Sequence, residues 1–378
     1  MRIAIDYTPG ITQRAGIGRY TRSLTKALAT IDPDDQFTLF SSEPATATYG
    51  FPMAPNMRSR VVGVGNRAAT ILWQRLNLPI PAELVLGRAD VLHGPDYILP
   101  PALRVPRVVT IHDLAFLTNP ECAVPALAEY LTHVVPRSLR RADRIIADSQ
   151  RTADDLVERL NVPREKIRVI HLGMDSVFTN ARDAEAEREL RERLRLTQPF
   201  ILAVGTIEPR KNYRNLVAAF AQATREPDGP PLLVIAGRKG WLYEGVFAAV
   251  DDFDVRERVR FLDFIADGDL PTLYRAATAL AMPSIYEGFG IPLVEAMACG
   301  TPVICSDAGP LPEVAGDAAL IVPVSDLDAL AVALYRVATD GELRRSLTAR
   351  GLVRARNFSW TDAARAHLAV YREVAKKR

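Results

Sequence analysis

The chain has 378 residues, 48% of them hydrophobic, which is more than one ordinary core organises, so two domains are expected. Charge is nearly balanced at +2, and no basic face or known motif points to nucleic acid. Three cysteines (Cys122, Cys299, Cys305) lack metal-ligand spacing, no run reaches the ~20 apolar residues of a membrane span, and the opening MRIAIDYTPG reads as a strand and not as a signal peptide. The expectation is a cytoplasmic protein, with peripheral contact to the inner membrane face left open.

Strands and helices alternate along the chain. Apolar runs at 2–7, 36–40, 90–94, 107–113 and 144–149 predict strands, with helical patterns at 18–31 and 125–142 between them. A second series follows at 166–173, 199–205, 231–237, 258–264, 277–284, 301–307 and 318–323. Short, continuous apolar strands joined through helices indicate parallel sheets covered on both faces. The break between the series lies near HLGMDSVFTN (171–180), followed by the charged helix 183–196. The fold class read here is α/β, with two doubly wound Rossmann-like domains facing a cleft. Ligands in such sheets bind beyond the carboxyl ends of the strands.

Four stretches sit at predicted strand ends. In TQRAGIGRY (12–20), Gly16 and Gly18 precede a helix; they suit either a phosphate approaching backbone N–H groups or a plain turn. A dinucleotide fingerprint fits poorly, because Thr21 and Arg22 stand where a third glycine is needed. In LHGPDY, His93 and Asp96 could touch an acceptor, with a turn the other role for Asp96. In TIHDL, His112 and Asp113 could meet sugar hydroxyls, or Asp113 could cap a turn over a buried imidazole. In VGTIEPRKNYRNL, Arg210 and Lys211 lie between a strand and a helix, where they suit either an anion site for a diphosphate or a solvated surface. Lysine is scarce here, six among 47 cations, which singles out Lys211.

The stretch PSIYEGFGIPLVEAMACGTPVICSD sets Glu287 three residues beyond a buried strand and Glu295 one turn into the next helix. Glycines in its loop free the N–H groups of Phe289, Gly290 and Ile291 to face a ligand. Pro292 suits the helix start. Two glutamates could also merely favour the helix dipole, which leaves the glycines unexplained.

These residues together resemble the glutamate–seven–glutamate signature of retaining glycosyltransferases of the GT-B fold, family 4, over essentially the whole chain. The early glycine loop, IHDL, ADS (147–149), HLGMD (171–175) and GTIEPRKN fall in the family's order. One departure is Thr206, where many members carry arginine; the TxEPRKN form resembles a bacterial mannosyltransferase-like subgroup building cell-surface polysaccharide. The resemblance implies an acceptor-side domain, 1–174, completed by a C-terminal helix, 360–378, that crosses back to it. It implies a nucleotide-sugar domain at 175–359. It implies that Glu287 holds donor-sugar hydroxyls, that Phe289, Gly290 and Ile291 hold sugar and diphosphate, and that Glu295 holds the ribose. Gly16 would approach the diphosphate, with Gly18 in the same loop, and His112 would sit at the reacting sugar. Arg210 and Lys211 would stabilise the leaving group. It implies a nucleoside-diphosphate hexose donor, GDP-mannose ahead of a UDP- or dTDP-hexose, and a saccharide or lipid-linked acceptor. No metal or other cofactor is implied, and the D-x-D triplets read as turns or caps. A sugar-nucleotide epimerase or phosphorylase, or a non-catalytic binding subunit, are the alternatives. Membrane contact would use Trp73 in TILWQRLNLPIP (70–81) with Arg137, Arg140, Arg141 and Arg144.

Overall fold

The structure, a computed structural model, describes residues 1–14, 16–45, 49–62 and 82–376. The chain forms two compact units. Unit 1 is Met1–Thr118, Pro125–Gly173 and Ser359–Arg378; unit 2 is Asn119–Val124 and Met174–Phe358.

Unit 1 carries a seven-stranded sheet of β1 (Arg2–Asp6), β2 (Gln36–Ser41), β3 (Met57–Val61), β4 (Val91–Gly94), β5 (Arg107–Ile111), β6 (Arg144–Ala147) and β7 (Ile167–Val169). Their order is β3-β2-β1-β4-β5-β6-β7, with every pairing parallel. Unit 2 carries β8 (Ile201–Val204), β9 (Leu233–Ala236), β10 (Val259–Leu262), β11 (Ala279–Met282), β12 (Val303–Ser306) and β13 (Ala319–Val322), in the order β10-β9-β8-β11-β12-β13, again all parallel. Both sheets reverse direction of winding once, beside β1/β4 and beside β8/β11. Those crevices are where a doubly wound sheet takes its ligand.

The central strands are buried aliphatic runs because helices cover both faces. The helices of eight residues or more, among the described residues, are α1 (Ile17–Ile31), α2 (Pro125–Arg141), α3 (Gln150–Leu160), α4 (Ala184–Leu194), α5 (Tyr213–Ala223), α6 (Glu244–Asp252), α7 (Ile291–Ala298), α8 (Leu327–Thr339), α9 (Gly341–Ala355) and α10 (Trp360–Lys376). Local chemistry sets their ends. Asp183, Asp326 and Asp340 accept from backbone N–H groups at the starts of α4, α8 and α9. Arg195 then ends α4 in the left-handed region at φ 56°. The sequence missed β3. Its residues MRSRV are largely exposed at the sheet edge, so no apolar signal marks them.

Helix α10 returns to unit 1 and packs along α1. A closed set of buried hydrogen bonds fixes it there. His367 Nδ1–H donates to the Ala363 carbonyl at 2.7 Å, which can only accept. Its bare Nε2 accepts from Tyr20 Oη at 2.9 Å, and Tyr20 accepts from Thr110 Oγ1 at 2.9 Å. Thr110 accepts from His93 Nε2 at 2.9 Å, and His93 Nδ1 accepts from Tyr371 Oη at 2.7 Å. One carbonyl therefore dictates both tautomers and every donor in the ring. Burial keeps both imidazoles neutral: it pushes His93 well below its ordinary value and His367 down to about 4. His93 is fully buried, so the expectation that it touches an acceptor is corrected; it ties β4 to α10.

Among the described residues no helix is long and apolar enough to cross a membrane. The stretch 70–81, with Trp73, lies outside the described residues.

Candidate active site

The β8/β11 crevice of unit 2 gathers four charges. Gly205 follows β8 at once, and its φ of 144° favours glycine. A Cβ there would meet Lys211 Cε at 2.9 Å and Tyr213 Oη at 3.2 Å, so the missing side chain is the floor on which Lys211 lies. Residues Pro209–Lys211 then make one 3-10 turn, and Asn212 at φ 58° redirects the chain into α5. The turn holds Arg210 and Lys211 side by side. Across the crevice, the loop after β11 presents Glu287.

Glu287 is the hub. Its Oε1 accepts from Lys211 Nζ at 2.7 Å and from Ser284 Oγ at 2.7 Å. Its Oε2 accepts from Arg210 Nη1 at 2.7 Å. Arg210 also donates through Nη2 to Glu208 Oε1 at 2.7 Å and through Nη1 to the Tyr286 carbonyl at 2.9 Å. Glu208, Lys211 and Glu287 are buried, at 4%, 8% and 6% exposure. Burial alone pushes the Glu287 carboxyl up; the charges of Arg210 and Lys211 outweigh it, and the group is held down at about 2. It is therefore a permanent hydrogen-bond acceptor for hydroxyl groups and donates none. The cations expected as a bare anion site are thus already balanced, two positive against two negative. Lysine has three N–H donors, and among the described residues Lys211 gives one to Glu287, so donors remain for an anion.

The glycine loop reaches α7 through Gly290 at φ 99°. A Cβ there would meet Leu311 Cδ2 at 2.8 Å, so this turn needs glycine twice over. Phe289 packs edge-on to Phe358, with ring centroids 5.6 Å apart, and Ile291 opens the helix. Glu295 lies one turn in, 1% exposed, and accepts from the buried Tyr274 hydroxyl at 2.9 Å. A ribose at this place would share the carboxylate with Tyr274.

In unit 1, Gly16 is the N-cap of α1 at φ 54°, and a Cβ on it would meet nothing within 4 Å. Gly18 differs. A Cβ there would fall 1.9 Å from the Gln13 carbonyl, so close packing explains this glycine. His112 follows β5 and is 7% exposed. Its Nδ1 lies 2.6 Å from Asp148 Oδ2 and its Nε2 lies 2.7 Å from the Pro95 carbonyl. Asp113 accepts from the Ala115 N–H, the turn-capping alternative. Asp96 accepts from Gln13 Nε2 at 2.8 Å. Sequence reasoning missed Glu208, Ser284, Tyr274 and Asp148. Glu208 and Asp148 stood inside quoted motifs, yet nothing local tells which side chains they meet.

The Glycosyltransferase Family 4 profile matches residues 14–202, half of the chain, and the Glycosyl transferases group 1 profile matches residues 186–353. The O-antigen chain mannosyltransferase B of Escherichia coli is 32% identical over 98% of this chain and 100% of its own. The chain belongs to glycosyltransferase family 4. A second relative, the D-inositol 3-phosphate glycosyltransferase of Salinispora tropica, is 35% identical over 71% of this chain and 59% of its own. Among solved structures, sucrose-phosphate synthase from Thermosynechococcus elongatus superposes with a TM-score of 0.80 at 23% identity, covering 100% of each chain. Anabaena HepE in complex with UDP and glucose gives 0.73 at 19%, again over 100% of each. Both are likenesses of fold, and they agree with the two parallel sheets of the family 4 chain described above.

Proposed function

We propose that this glycosyltransferase is a retaining hexosyltransferase that moves mannose from GDP-mannose to a saccharide or lipid-linked acceptor in cell-surface polysaccharide synthesis. The observation that supports this reading most is the end-to-end match to an O-antigen mannosyltransferase. In this reading Glu287 accepts from donor-sugar hydroxyls. Lys211 and Arg210 steady the charge that grows on the leaving diphosphate. Phe289, Gly290 and Ile291 line the sugar and diphosphate, Glu295 receives the ribose, and Gly16 gives the diphosphate an unobstructed backbone. Glu287 is pinned by three hydrogen bonds and is a poor covalent nucleophile. Front-face substitution follows, with the leaving phosphate oxygen taking the acceptor proton. Two cations at the diphosphate do the work for which other transferases use a metal, so the reaction is proposed as metal-independent.

A lipid-linked acceptor would bring this cytoplasmic enzyme to the inner face of the membrane as a peripheral protein. Arg141 supports this part. Burial lowers its affinity for a proton, and the like charges of Arg107, Arg137 and Arg140 lower it further, the sign of a crowded basic surface. Arg144 is engaged elsewhere, by Glu373. Sedimentation with anionic vesicles at low and high salt tests the contact; absence of binding at low salt removes it.

Incubating the protein with a panel of GDP-, UDP- and dTDP-hexoses, with and without EDTA, tests the main reading. Release of GDP from GDP-mannose in both conditions is the expected result. Preference for another donor, or loss of turnover with EDTA, overturns the corresponding part.

A further inference from the structure

Histidine 112 has only acceptors around its ring nitrogens. Asp148 Oδ2 at 2.6 Å cannot donate while ionised, and the Pro95 carbonyl at 2.7 Å never can. With Asp148 ionised, each nitrogen carries a proton and the ring is an imidazolium; burial raises the Asp148 carboxyl, and the charge of His112 draws it back down. The carboxylate that balances the ring is 1% exposed. Its second oxygen, Oδ1, is buried without a hydrogen-bond partner, so the charge of Asp148 is spent on His112. Around the pair, Thr152 Oγ1 donates to the His112 carbonyl at 3.2 Å, and Ser149 caps α3. The stretch from Asp148 to Thr152 is thus a clamp on His112, Asp148 holding the side chain and Thr152 the backbone.

What the imidazolium holds is a strained loop. Tyr97 sits at φ 57°, a costly place for an aromatic residue. A Cβ on Gly94 would fall 2.1 Å from the Ile98 carbonyl, so the loop folds tightly on itself. The charged bond from His112 to Pro95, the Tyr97 N–H bond to the Thr110 carbonyl at 3.1 Å and the edge-on packing of Tyr97 against His112 offset that strain.

We propose that Asp148 is a positioning residue that keeps His112 permanently charged, so that His112 serves transfer as a fixed positive charge and loop clamp and moves no proton. The consequence rests on the glycosyl-transfer reading above; the charge state does not. The groups facing the pair are Asp96 beyond β4, Asp113 beside it, Tyr20 on α1, Tyr97, His93 on β4, His367 on α10 and His171 beyond β7. Burial works against the charge; Asp148, Asp96 and the Pro95 carbonyl overcome it and raise the group to about 9.

The experiment is histidine-selective isotopic labelling of the full chain and NMR titration without ligand. The protein has five histidines, and the resonance missing from His112→Gln identifies the ring. The expected result is an imidazolium across neutral pH with a midpoint near 9. Asp148→Asn keeps an oxygen for Nδ1 and puts its amide where Oδ1 now has no partner. It should drop the midpoint by about one to three units. The turnover–pH profile of Asp148→Asn should then gain a limb tracking that new midpoint, a change that a merely structural role would not cause. A bare ring nitrogen in wild type at neutral pH overturns the proposal, as does an unmoved midpoint in Asp148→Asn. Should that variant not fold, the wild-type titration decides alone. Failure of every donor to react would instead strike the transfer reading and leave the NMR result standing.

Discussion

The strand ends of the two units handle buried charge in opposite ways. In unit 1 the imidazolium of His112 has both nitrogens committed to protein acceptors, and the neighbouring ring from Tyr371 to Ala363 has each hydrogen assigned. In unit 2, Glu208, Arg210, Lys211 and Glu287 balance one another, yet Lys211 retains donors for a newcomer. Desolvated charge is costly unless paired, and both regions meet that cost. A site whose hydrogen bonds are all spent is a frame; one with donors in reserve can grip a ligand.

The most severe way to break the comparison is Glu287→Ala. It strands Lys211, leaves Arg210 to Glu208 alone, and should cost about 3–5 kcal/mol of unit 2 stability in urea unfolding. A loss under about 1 kcal/mol would mean that water already serves those cations. Lys211→Ala should lower turnover on the order of 100-fold at saturating donor, because leaving-group charge grows in the transition state. Lys211→Arg should recover only part of this, since a planar fork does not fit the Gly205 floor as a point charge does. Near-normal turnover in Lys211→Ala would separate Lys211 from the diphosphate.

Glu208→Gln sharpens the idea of a balanced cluster. With one anion removed beside Arg210, free nucleoside diphosphate should bind about 1 kcal/mol more tightly by calorimetry. Weaker binding would show that Glu208 matters through the placement of Arg210 and not through charge. In unit 1, Tyr371→Phe leaves His93 Nδ1 without its donor and should cost about 1–3 kcal/mol of unit 1 stability. An unaffected urea midpoint would show that the ring is not closed in solution.

The smallest effect is a contrast in pH. Glu287 is depressed in the fold, so its contribution is complete above about 4.5 and is lost as pH falls through about 2. His112 is raised, so its contribution is complete below about 6.5 and is lost as pH rises through about 9. Acid should therefore soften unit 1 first, because its neutral His93 and His367 lose stability as pH falls below about 6.5, ahead of Glu287 in unit 2, and alkali should soften unit 1 alone. Trp241 lies in unit 2 and Trp360 in unit 1. Urea midpoints read from each, with the other tryptophans replaced by phenylalanine, check the order; parallel curves would remove the contrast.

Much of this was legible in the sequence because parallel strands buried on both faces announce themselves as aliphatic runs. The runs overshot the observed strands by a few residues, as at 107–113 against Arg107–Ile111, because apolar burial continues past the last ladder bond. Glu287, Arg210 and Lys211 were visible from their strand-end positions. Their mutual pairing was not, since 76 residues separate Lys211 from Glu287. Likewise 36 residues separate His112 from Asp148. The resemblance implied the C-terminal helix, but nothing local marked His367 as the residue that anchors it through Tyr20.

The ring that closes on α10 also bears on the order of events at the ribosome. Domains generally complete themselves as they emerge, the earlier one first. Here the partners of Tyr20 and His93 are His367 and Tyr371, made 347 and 278 residues after them. Nearly all of unit 2 is contiguous, Met174–Phe358, and can close before those partners exist. The unit translated first is thus the one finished last. A nascent chain stalled ahead of His367 should carry a settled second half beside a first half still open to protease.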